Sequence, residues 1–204
     1  MKNYAIDNNI RDKVNRWIFI FSLIFASFIM ITFNILVSDI AVTNVWIIYL
    51  NILIIPSLGG IDAFLKWVFD TKLWKTKVFM RLLNLPNLNG IWNIKGENSL
   101  GYTYNGLIKI YQTFNKISIK GLFDNSQSEN FETFMSISVN EIKLSYNYTN
   151  EPKKKEGTMG IHHGFAIIRF DKDLKNGTAK YFNDDFRGTQ GVWSLSLANI
   201  ISRN

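Results

Sequence analysis

The amino-acid sequence predicts a membrane protein: an N-terminal two-helix transmembrane hairpin followed by a C-terminal all-β antiparallel small barrel of about eight strands. Two apolar segments, residues 17–37 and 40–61, contain no Asp, Glu, Lys or Arg. About 20 apolar residues, rising about 1.5 Å each, cross the hydrocarbon core of a bilayer. From residue 88 onward the apolar pattern changes from a helical period to the alternation of β-strands.

Composition limits the classes of function. The chain has 204 residues, no cysteine and a net charge of +7. Without cysteine there is no disulfide framework and no thiolate metal site. The part that follows the apolar segments is long enough for one domain with its own core. The basic charge suits anionic lipid headgroups and a phosphate-bearing ligand equally well, and it does not by itself indicate a nucleic acid polymer.

The two apolar segments are assigned to two transmembrane helices within residues 15–61, preceded by a cytoplasmic tail at 1–14. Lys and Arg lie on the outer flanks of both segments and are absent from the turn between them. The positive-inside rule therefore places both termini in the cytoplasm. Asn34 and Asn51 lie within the segments, and such amides prefer a partner in lipid. That partner is either the other helix of the hairpin or another copy of the chain.

Residues 62–87 are interpreted as a basic amphipathic connector next to the membrane. Apolar side chains recur there at spacings of three and four, and lysines occupy most of the other positions. Such a helix places aromatic side chains at headgroup level and lysines near anionic lipid. The alternative is a helix that packs on the following domain.

Residues 88–204 are predicted to form a cytosolic β-barrel that binds a ligand. Eight short strands at regular spacing are typical of a sandwich or a closed barrel, and a barrel of about eight strands can hold one small ligand. The predicted strands are 90–95, 107–114, 116–122, 132–139, 141–148, 164–170, 178–182 and 192–197.

The sequence favours binding over catalysis. His162 and His163 are the two histidines, and adjacent residues of a strand point to opposite faces, so they do not share one metal ion. Nucleophile-elbow, zinc-protease and phosphate-loop motifs are absent from the sequence. We therefore expect no enzyme, no metal site and no cofactor.

Strand parity suggests a polar and aromatic ligand site in the barrel. Tyr146 and Tyr148 share one strand face, and Tyr181 and Asn183 share another. An aromatic face stacks on a base, and the planar guanidinium of an arginine suits a phosphate. Arg187, followed by Thr189, lies in a turn that would close the barrel mouth. The alternatives are that the tyrosines fill the core and that Arg187 is a solvated turn residue.

The order of short motifs behind the membrane hairpin resembles the two-transmembrane, β-strand-rich effectors of bacterial cyclic-oligonucleotide anti-phage signalling, CBASS. The motifs occupy residues 88–92, 110–114, 126–128, 144–152, 163–164, 177–183 and 187–189. The chain departs from the family pattern at Phe114, where Trp is common, and at Asn183, where Thr is common.

The resemblance implies a ligand-gated membrane effector. A partner nucleotidyltransferase (CD-NTase) makes a cyclic dinucleotide, which binds in the barrel and drives homo-oligomerisation. The hairpins then disrupt the bacterial inner membrane and cause abortive infection. Combined with strand parity, the resemblance implies ligand contacts from one set of side chains: Gln112, Tyr146, Tyr148, His163, Tyr181, Asn183, Arg187 and Thr189. The alternatives are a membrane-tethered, lipocalin-like lipid or metabolite carrier and a membrane-anchored enzyme.

Overall fold

The computed structural model describes residues 1–6, 10–41, 46–138, 141–153, 160–184 and 188–200, and within the helices it describes the side chains outside 37–58. The chain divides into two compact units. One unit is Asn9–Thr76, and the other joins Met1–Asn8 to Lys77–Asn204.

The first unit is helical. It contains α1 (Ile10–Ala41), α2 (Trp46–Thr71) and a 3₁₀ turn at Leu73–Lys75, and the two long helices pack against each other. By length and composition, Ile10–Leu36 is apolar enough to cross a membrane. Its apolar side chains are exposed on several sides of the helix, which is typical of a helix that needs an apolar environment. Most side chains of the second predicted span, 40–61, lie outside the described residues.

A buried serine marks the contact between α1 and α2. The hydroxyl of Ser22 donates to the carbonyl oxygen of Ile18 at 2.8 Å and lies 3.4 Å from a carboxylate oxygen of Asp62. Asp62 also pairs with Lys66 at 2.6 Å. This serine of the first predicted span thus has partners inside the helical unit.

Asn34 is an exposed residue of α1, and the side chain of Asn51 lies outside the described residues. Their role in oligomerisation stays a prediction.

The connector is divided where the sequence suggested one amphipathic helix. α2 continues to Thr71, the 3₁₀ turn follows, and a separate helix α3 spans Lys77–Leu83. Thr76 adopts an extended backbone that ends the 3₁₀ turn. Asn84 has a φ of 49° and ends α3 in the left-handed conformation that often caps a helix.

The second unit is an antiparallel β-barrel. Each barrel strand pairs with the next one along the chain, and the last strand pairs with the first, which closes the sheet. The eight-stranded antiparallel barrel predicted from the sequence is thus confirmed. The barrel strands are β3 (Gly90–Asn98), β4 (Thr103–Gln112), β5 (Lys116–Phe123), β6 (Ser126–Ile137), β7 (Ile142–Pro152), β8 (His162–Phe170), β9 (Asn176–Asn183) and β10 (Gln190–Asn199).

One end of the barrel lumen is packed with apolar side chains. Alternate residues of each strand point inward, as the period of two requires. At this end the rings of Trp92 and Phe170 lie 4.8 Å apart. The buried aliphatic residues around them include Ile94, Ile108, Ile110, Leu144, Ile168 and Leu195. This packed end provides the hydrophobic core of the unit.

The N-terminal residues take part in the barrel. β5 and β6 pair with each other only over Lys120–Leu122. The remaining gap is bridged by two short strands, β1 (Lys2–Asn3), which pairs with β5, and β2 (Ala5–Ile6), which pairs with β6. Tyr4 lies between them and is buried. The sequence had assigned this segment to a tail, because six residues without a turn signal give no strand pattern.

All eight barrel strands are longer than predicted, and β6 and β7 extend over positions where the sequence suggested turns. β6 begins at Ser126 and accommodates a bulge between Asn130 and Glu132, which shifts its parity midway. β7 continues through Pro152, where the sequence suggested a turn. Ser126 is the register partner of Pro152, at the end of β7, and a proline is tolerated at the end of a strand.

Candidate ligand-binding site

A cavity of about 230 Å³ occupies the other end of the barrel lumen. Its wall consists of aromatic rings, amides and hydroxyl groups and includes residues from all eight barrel strands. The lining residues are Asn98, Tyr104, Asn105, Phe123, Asp124, Asn125, Ser126, Ser128, Tyr148, Asn150, His162, Tyr181, Asn183, Thr189 and Trp193.

The cavity exists because glycines lie opposite its aromatic residues. Tyr148 is the register partner of Gly164, and Tyr181 is the register partner of Gly191. A Cβ atom on Gly191 would lie 2.6 Å from the Tyr181 ring, and one on Gly164 would overlap the Tyr148 ring. Each ring therefore packs against the backbone of the glycine, which has no side chain there, instead of projecting across the lumen. The same relation holds for Tyr104 over Gly96 and for Phe123 over Gly106.

One wall of the cavity is an aromatic cluster. The rings of Tyr181 and Trp193 stack, with centroids 5.0 Å apart and planes 20° apart. The indole Nε1 of Trp193 donates to the hydroxyl of Tyr104 at 2.7 Å. Phe123 lies edge-on to Tyr104, at 5.9 Å. This wall offers π-faces next to fixed polar atoms, the combination that stacks a nucleobase.

The neighbouring part of the wall is a chain of hydrogen bonds. The hydroxyl of Tyr148 donates to Oδ1 of Asn183 at 2.8 Å. The amide nitrogen of Asn183 in turn donates to the hydroxyl of Thr189 at 2.7 Å. Because the backbone of Asn183 also bonds to Thr189, the three side chains are held in one arrangement at the barrel mouth.

His162 points into the cavity, where its partners fix its tautomer. Nδ1 lies 3.1 Å from the carbonyl oxygen of Gly160, so this nitrogen carries the donated proton. Nε2 lies 3.3 Å from the amide nitrogen of Asn150 and accepts from it when the ring is neutral. This arrangement places the imidazole of His162 and the amide group of Asn150 in the wall.

Burial keeps the tyrosines of this region protonated. It raises the pKa of Tyr148, with smaller contributions from the nearby Tyr181 and Asp184. Burial also raises the pKa of Tyr104 and that of Tyr146 well above 10. The hydroxyl groups therefore act as hydrogen-bond donors over the whole physiological pH range.

The charge of the cavity wall is low. Among the lining residues that the structure describes there is no Lys or Arg, and Asp124 provides a carboxylate. Lys153 lies near the rim, where its ammonium group donates to the carbonyl oxygens of Phe123 and Asp124. Hydroxyl and amide groups are thus the donors available to a phosphate within the described wall.

The structure brings four of the predicted ligand residues together in the cavity: Tyr148, Tyr181, Asn183 and Thr189. Tyr146 lies one inward position further along β7, with its ring centroid 5.9 Å from that of Tyr148 and its side chain buried. It supports the floor of the cavity instead of lining it. Strand parity identified these residues because Tyr and Asn alternate with outward residues on β7 and β9.

Gln112 and His163 lie elsewhere, and Arg187 is outside the described residues. Gln112 ends β4, about 26 Å along the strand from Tyr104 at about 3.3 Å per residue.

The side chain of Gln112 accepts from the backbone of Leu88 at 2.8 Å and donates to Tyr4 at 3.2 Å. These bonds join the N-terminal segment and the residues just before β3 to the end of β4.

His163 is exposed on the outer face, and the neighbouring His162 takes the inward position. The resemblance pointed to His163, the histidine next to Gly164. Because the side chains of a strand alternate between its faces, this assignment is one residue away from the inward position.

The sequence interpretation missed the aromatic wall and the amides of the mouth. Tyr104 and Asn98 flank a turn that the predicted strands omitted, and Trp193 was placed in a strand without a face. One signal was available. Every aromatic residue of the wall has a glycine as its register neighbour, and glycines within strands indicate a close approach.

A small closed barrel with one polar, aromatic cavity defines a class of protein, the β-barrel receptors for a small ligand. A family model described as the cyclic dinucleotide receptor domain of Cap15 matches residues 83–196, a range that contains every lining residue. CD-NTase-associated protein 15 from Yersinia aleksiciae is 36% identical over 144 residues, which cover 69% of each chain. The chain belongs to the Cap15 family of CBASS effectors. The family that the sequence resembled is thus confirmed.

Proposed function

We propose that the barrel cavity binds a cyclic dinucleotide made by a partner CD-NTase, and that binding drives homo-oligomerisation and disruption of the bacterial inner membrane. The observation that carries this proposal is the cavity itself. Glycines clear one end of a small barrel, and the space is lined by stacking rings and fixed donors. The family that the chain belongs to is named for the same ligand class.

The two walls suit the two halves of a nucleotide. A base stacks on the Tyr181–Trp193 pair, where each stacked base contributes about 1–3 kcal/mol. The sugar and phosphate take hydrogen bonds from the wall formed by Tyr148, Asn183 and Thr189. Because their hydrogen bonds already hold these groups in place, little entropy is lost when the ligand binds.

The size of the cavity determines how the ligand sits. Enclosed small-molecule sites are typically about 300–1,000 Å³, whereas this cavity has about 230 Å³. A cyclic dinucleotide therefore places one nucleoside inside the lumen and extends across the mouth. Arg187 is in the segment of the chain between Asn183 and Thr189, two residues of the mouth, and we keep it as the proposed phosphate partner.

The fold gives less support to the alternatives. A lipid carrier needs a long apolar lumen, and in this barrel apolar side chains fill the end opposite the cavity. A metalloenzyme needs a cluster of ligands, and the described residues contain no group of three His, Asp or Glu side chains that could hold a metal ion.

The membrane part of the proposal rests on α1 and on the charge pattern of the sequence. α1 is long and apolar enough to cross a bilayer. With both termini in the cytoplasm, a multi-pass hairpin leaves the barrel where a cytosolic signal reaches it. Ligand shifts the assembly equilibrium by its differential affinity for the assembled form. Asn34 and Asn51 then contact neighbouring copies, and the hairpins breach the membrane, which produces abortive infection.

The test is a binding titration of the full-length chain in nanodiscs against cyclic di-AMP, cyclic di-GMP, cyclic GMP–AMP and cyclic UMP–AMP. We expect saturable binding of at least one compound, weakened about tenfold or more by Tyr181→Ala, which removes the stacking ring. The matched control is Thr178→Ala, an outward residue on the same strand. Absence of binding across the panel, with a folded barrel by circular dichroism, would refute the sensor role.

The killing step has its own readout. Cells that express the chain together with its CD-NTase should take up a membrane-impermeant dye, and Arg187→Ala should reduce the uptake if that side chain holds a phosphate. Dye uptake that is independent of the ligand would separate membrane disruption from sensing.

A further inference from the structure

The outer wall of the barrel carries an apolar patch on the strands that line the cavity from inside. We define the outer aromatic patch as Phe131, His163, Phe165, Phe182 and Val192. Its apolar members are about 40–50% exposed, and the imidazole of His163 is exposed as well. A large apolar patch on a soluble face is typical of an interaction site.

The pairing of strands makes this patch continuous. Phe165 on β8 and Phe182 on β9 are register partners, so their Cβ atoms are about 5 Å apart. Phe131 projects from the bulge of β6, with its ring 6.1 Å from that of His163. Val192 lies diagonally across from Phe182, since its own partner is Lys180.

We infer that the outer aromatic patch is the surface through which a second copy of this chain docks when the ligand is bound. The inference rests on the oligomerisation in the proposed function and assigns a surface to it. A face that was always solvated would not need four large apolar side chains in one cluster.

Charge at the edges of the patch favours a second copy. Glu132 lies two strands away from Phe165 on one side. On the other side Lys180 is the register partner of Val192, and Glu97 on β3 flanks Val192 from the next strand. A two-fold axis through the patch exchanges the two sides and brings Glu132 of each copy toward Lys180 of the other. An anionic lipid surface would instead select cations on both sides. The patch is thus bordered by charges of both signs, and a second copy can pair Glu132 with Lys180.

Alternation along the strands connects this surface to the ligand. On β8, β9 and β10 each member of the patch is the chain neighbour of a residue in or beneath the cavity wall. Any change that the ligand imposes on an inner residue is therefore carried by the same backbone to the outer one. The pairs are His163 with His162, Phe165 with Gly164, Phe182 with Tyr181 and Asn183, and Val192 with Gly191 and Trp193.

The experiment uses the absence of native cysteine. Gln190, the register partner of Phe182, is replaced by cysteine in the full-length chain as a reporter at the border of the patch. Lys109→Cys on β4, two strands from both β6 and β10, is the control reporter. The proteins are placed in liposomes with the compound that bound in the panel and treated with a short bismaleimide. We expect ligand-dependent dimers from the Gln190→Cys reporter and few from the control.

Charge reversal makes the test specific. In the Gln190→Cys background, Glu132→Lys and Lys180→Glu each place like charges opposite one another, and each should raise the chain concentration for half-maximal cross-linking about tenfold. The double reversal restores the complementarity and should restore cross-linking. Recovery in the double variant cannot result from a damaged fold.

The outcomes separate the inference from the proposed function. If ligand binds, and cross-linking is equal in the parent, both single reversals and the double variant, the patch is not the interface and the sensor role stands. If cross-linking follows Lys109→Cys instead, another face is used and the inference is refuted. If no compound binds, the proposed function fails. The patch is then judged by ligand-free cross-linking at the highest density of the chain in the liposomes, where absence of dimers refutes it.

Discussion

Substitution Gly96→Ala tests how the cavity is made. The new Cβ would lie 2.5 Å from Cζ of Tyr104, and its close neighbours are all atoms of that one side chain. Carbon atoms prefer a separation of about 3.5–4.0 Å, so the ring has to move by about 1 Å or more. Since the backbone blocks the other direction, the Tyr104 ring moves into the cavity and away from Trp193. In the parent protein, the indole nitrogen of Trp193 donates to the Tyr104 hydroxyl at 2.7 Å.

Gly96→Ala should change the stability of the protein little but weaken its ligand binding clearly. Loss of one hydrogen bond costs about 0.5–1.5 kcal/mol, and replacing glycine within a strand returns about 0.5–1 kcal/mol. The free energy of unfolding should therefore change by less than about 1 kcal/mol. A ring displaced into a cavity of about 230 Å³ should weaken cyclic dinucleotide binding about tenfold, or about 1.4 kcal/mol.

The assay pairs urea unfolding with the binding titration of the full-length chain. Ser194→Ala, an outward residue of β10, is the control for a small change on a strand. Adding Tyr104→Ser to Gly96→Ala removes the displaced ring, so this double variant should regain access to the cavity. Unchanged affinity of Gly96→Ala at full stability would refute the role of the glycines in shaping the site.

Three further predictions follow from the same geometry. His162→Ala should weaken ligand binding about tenfold, and more than His163→Ala does, as measured by titration; a larger loss from His163→Ala would contradict the inward position of His162. Tyr4→Ala should lower the free energy of unfolding by about 3–5 kcal/mol, because a buried ring and its bond to Gln112 are lost. A smaller loss of unfolding free energy, measured by urea unfolding, would mean that the gap between β5 and β6 closes without the N-terminal segment. Burial raises the pKa of Tyr146 above 10, so the unfolded chain releases this proton first, and stability should fall as the pH rises above about 10; Tyr146→Phe should flatten that decline in unfolding curves recorded against pH.

The barrel could be predicted from the sequence because its signals are local. Alternation on β4 and β5, together with turn residues between strands, required neither the closure nor the register to be known. The N-terminal strands could not be found in this way. β1 and β2 have two residues each, too few for any periodic pattern, and they exist only because β5 and β6 separate and leave backbone groups to be paired. A gap of this kind is a property of the closed barrel.

Within the site, the sequence predicted inward residues correctly where the outer face of the strand is polar, and incorrectly where it is not. On β7 the tyrosines alternate with Ser145, Asn147 and Thr149, so a polar outer face identified the inner one. On β8 the sequence from Gly164 to Ile168 is apolar at both parities, and the histidine pair gave no preference. The pattern that assigns an inner face depends on a solvated outer face.

That ambiguity on β8 has a physical cause in the outer aromatic patch. A strand that contacts only a ligand on one side and water on the other keeps a polar outer row, whereas Phe165 breaks this row opposite Phe182. Natural sequences depart from simple patterning mainly where function requires it. Strand parity assigned the histidines wrongly at a position where both faces of the barrel wall are functional. His162 faces the cavity, and His163 faces a second copy of the chain.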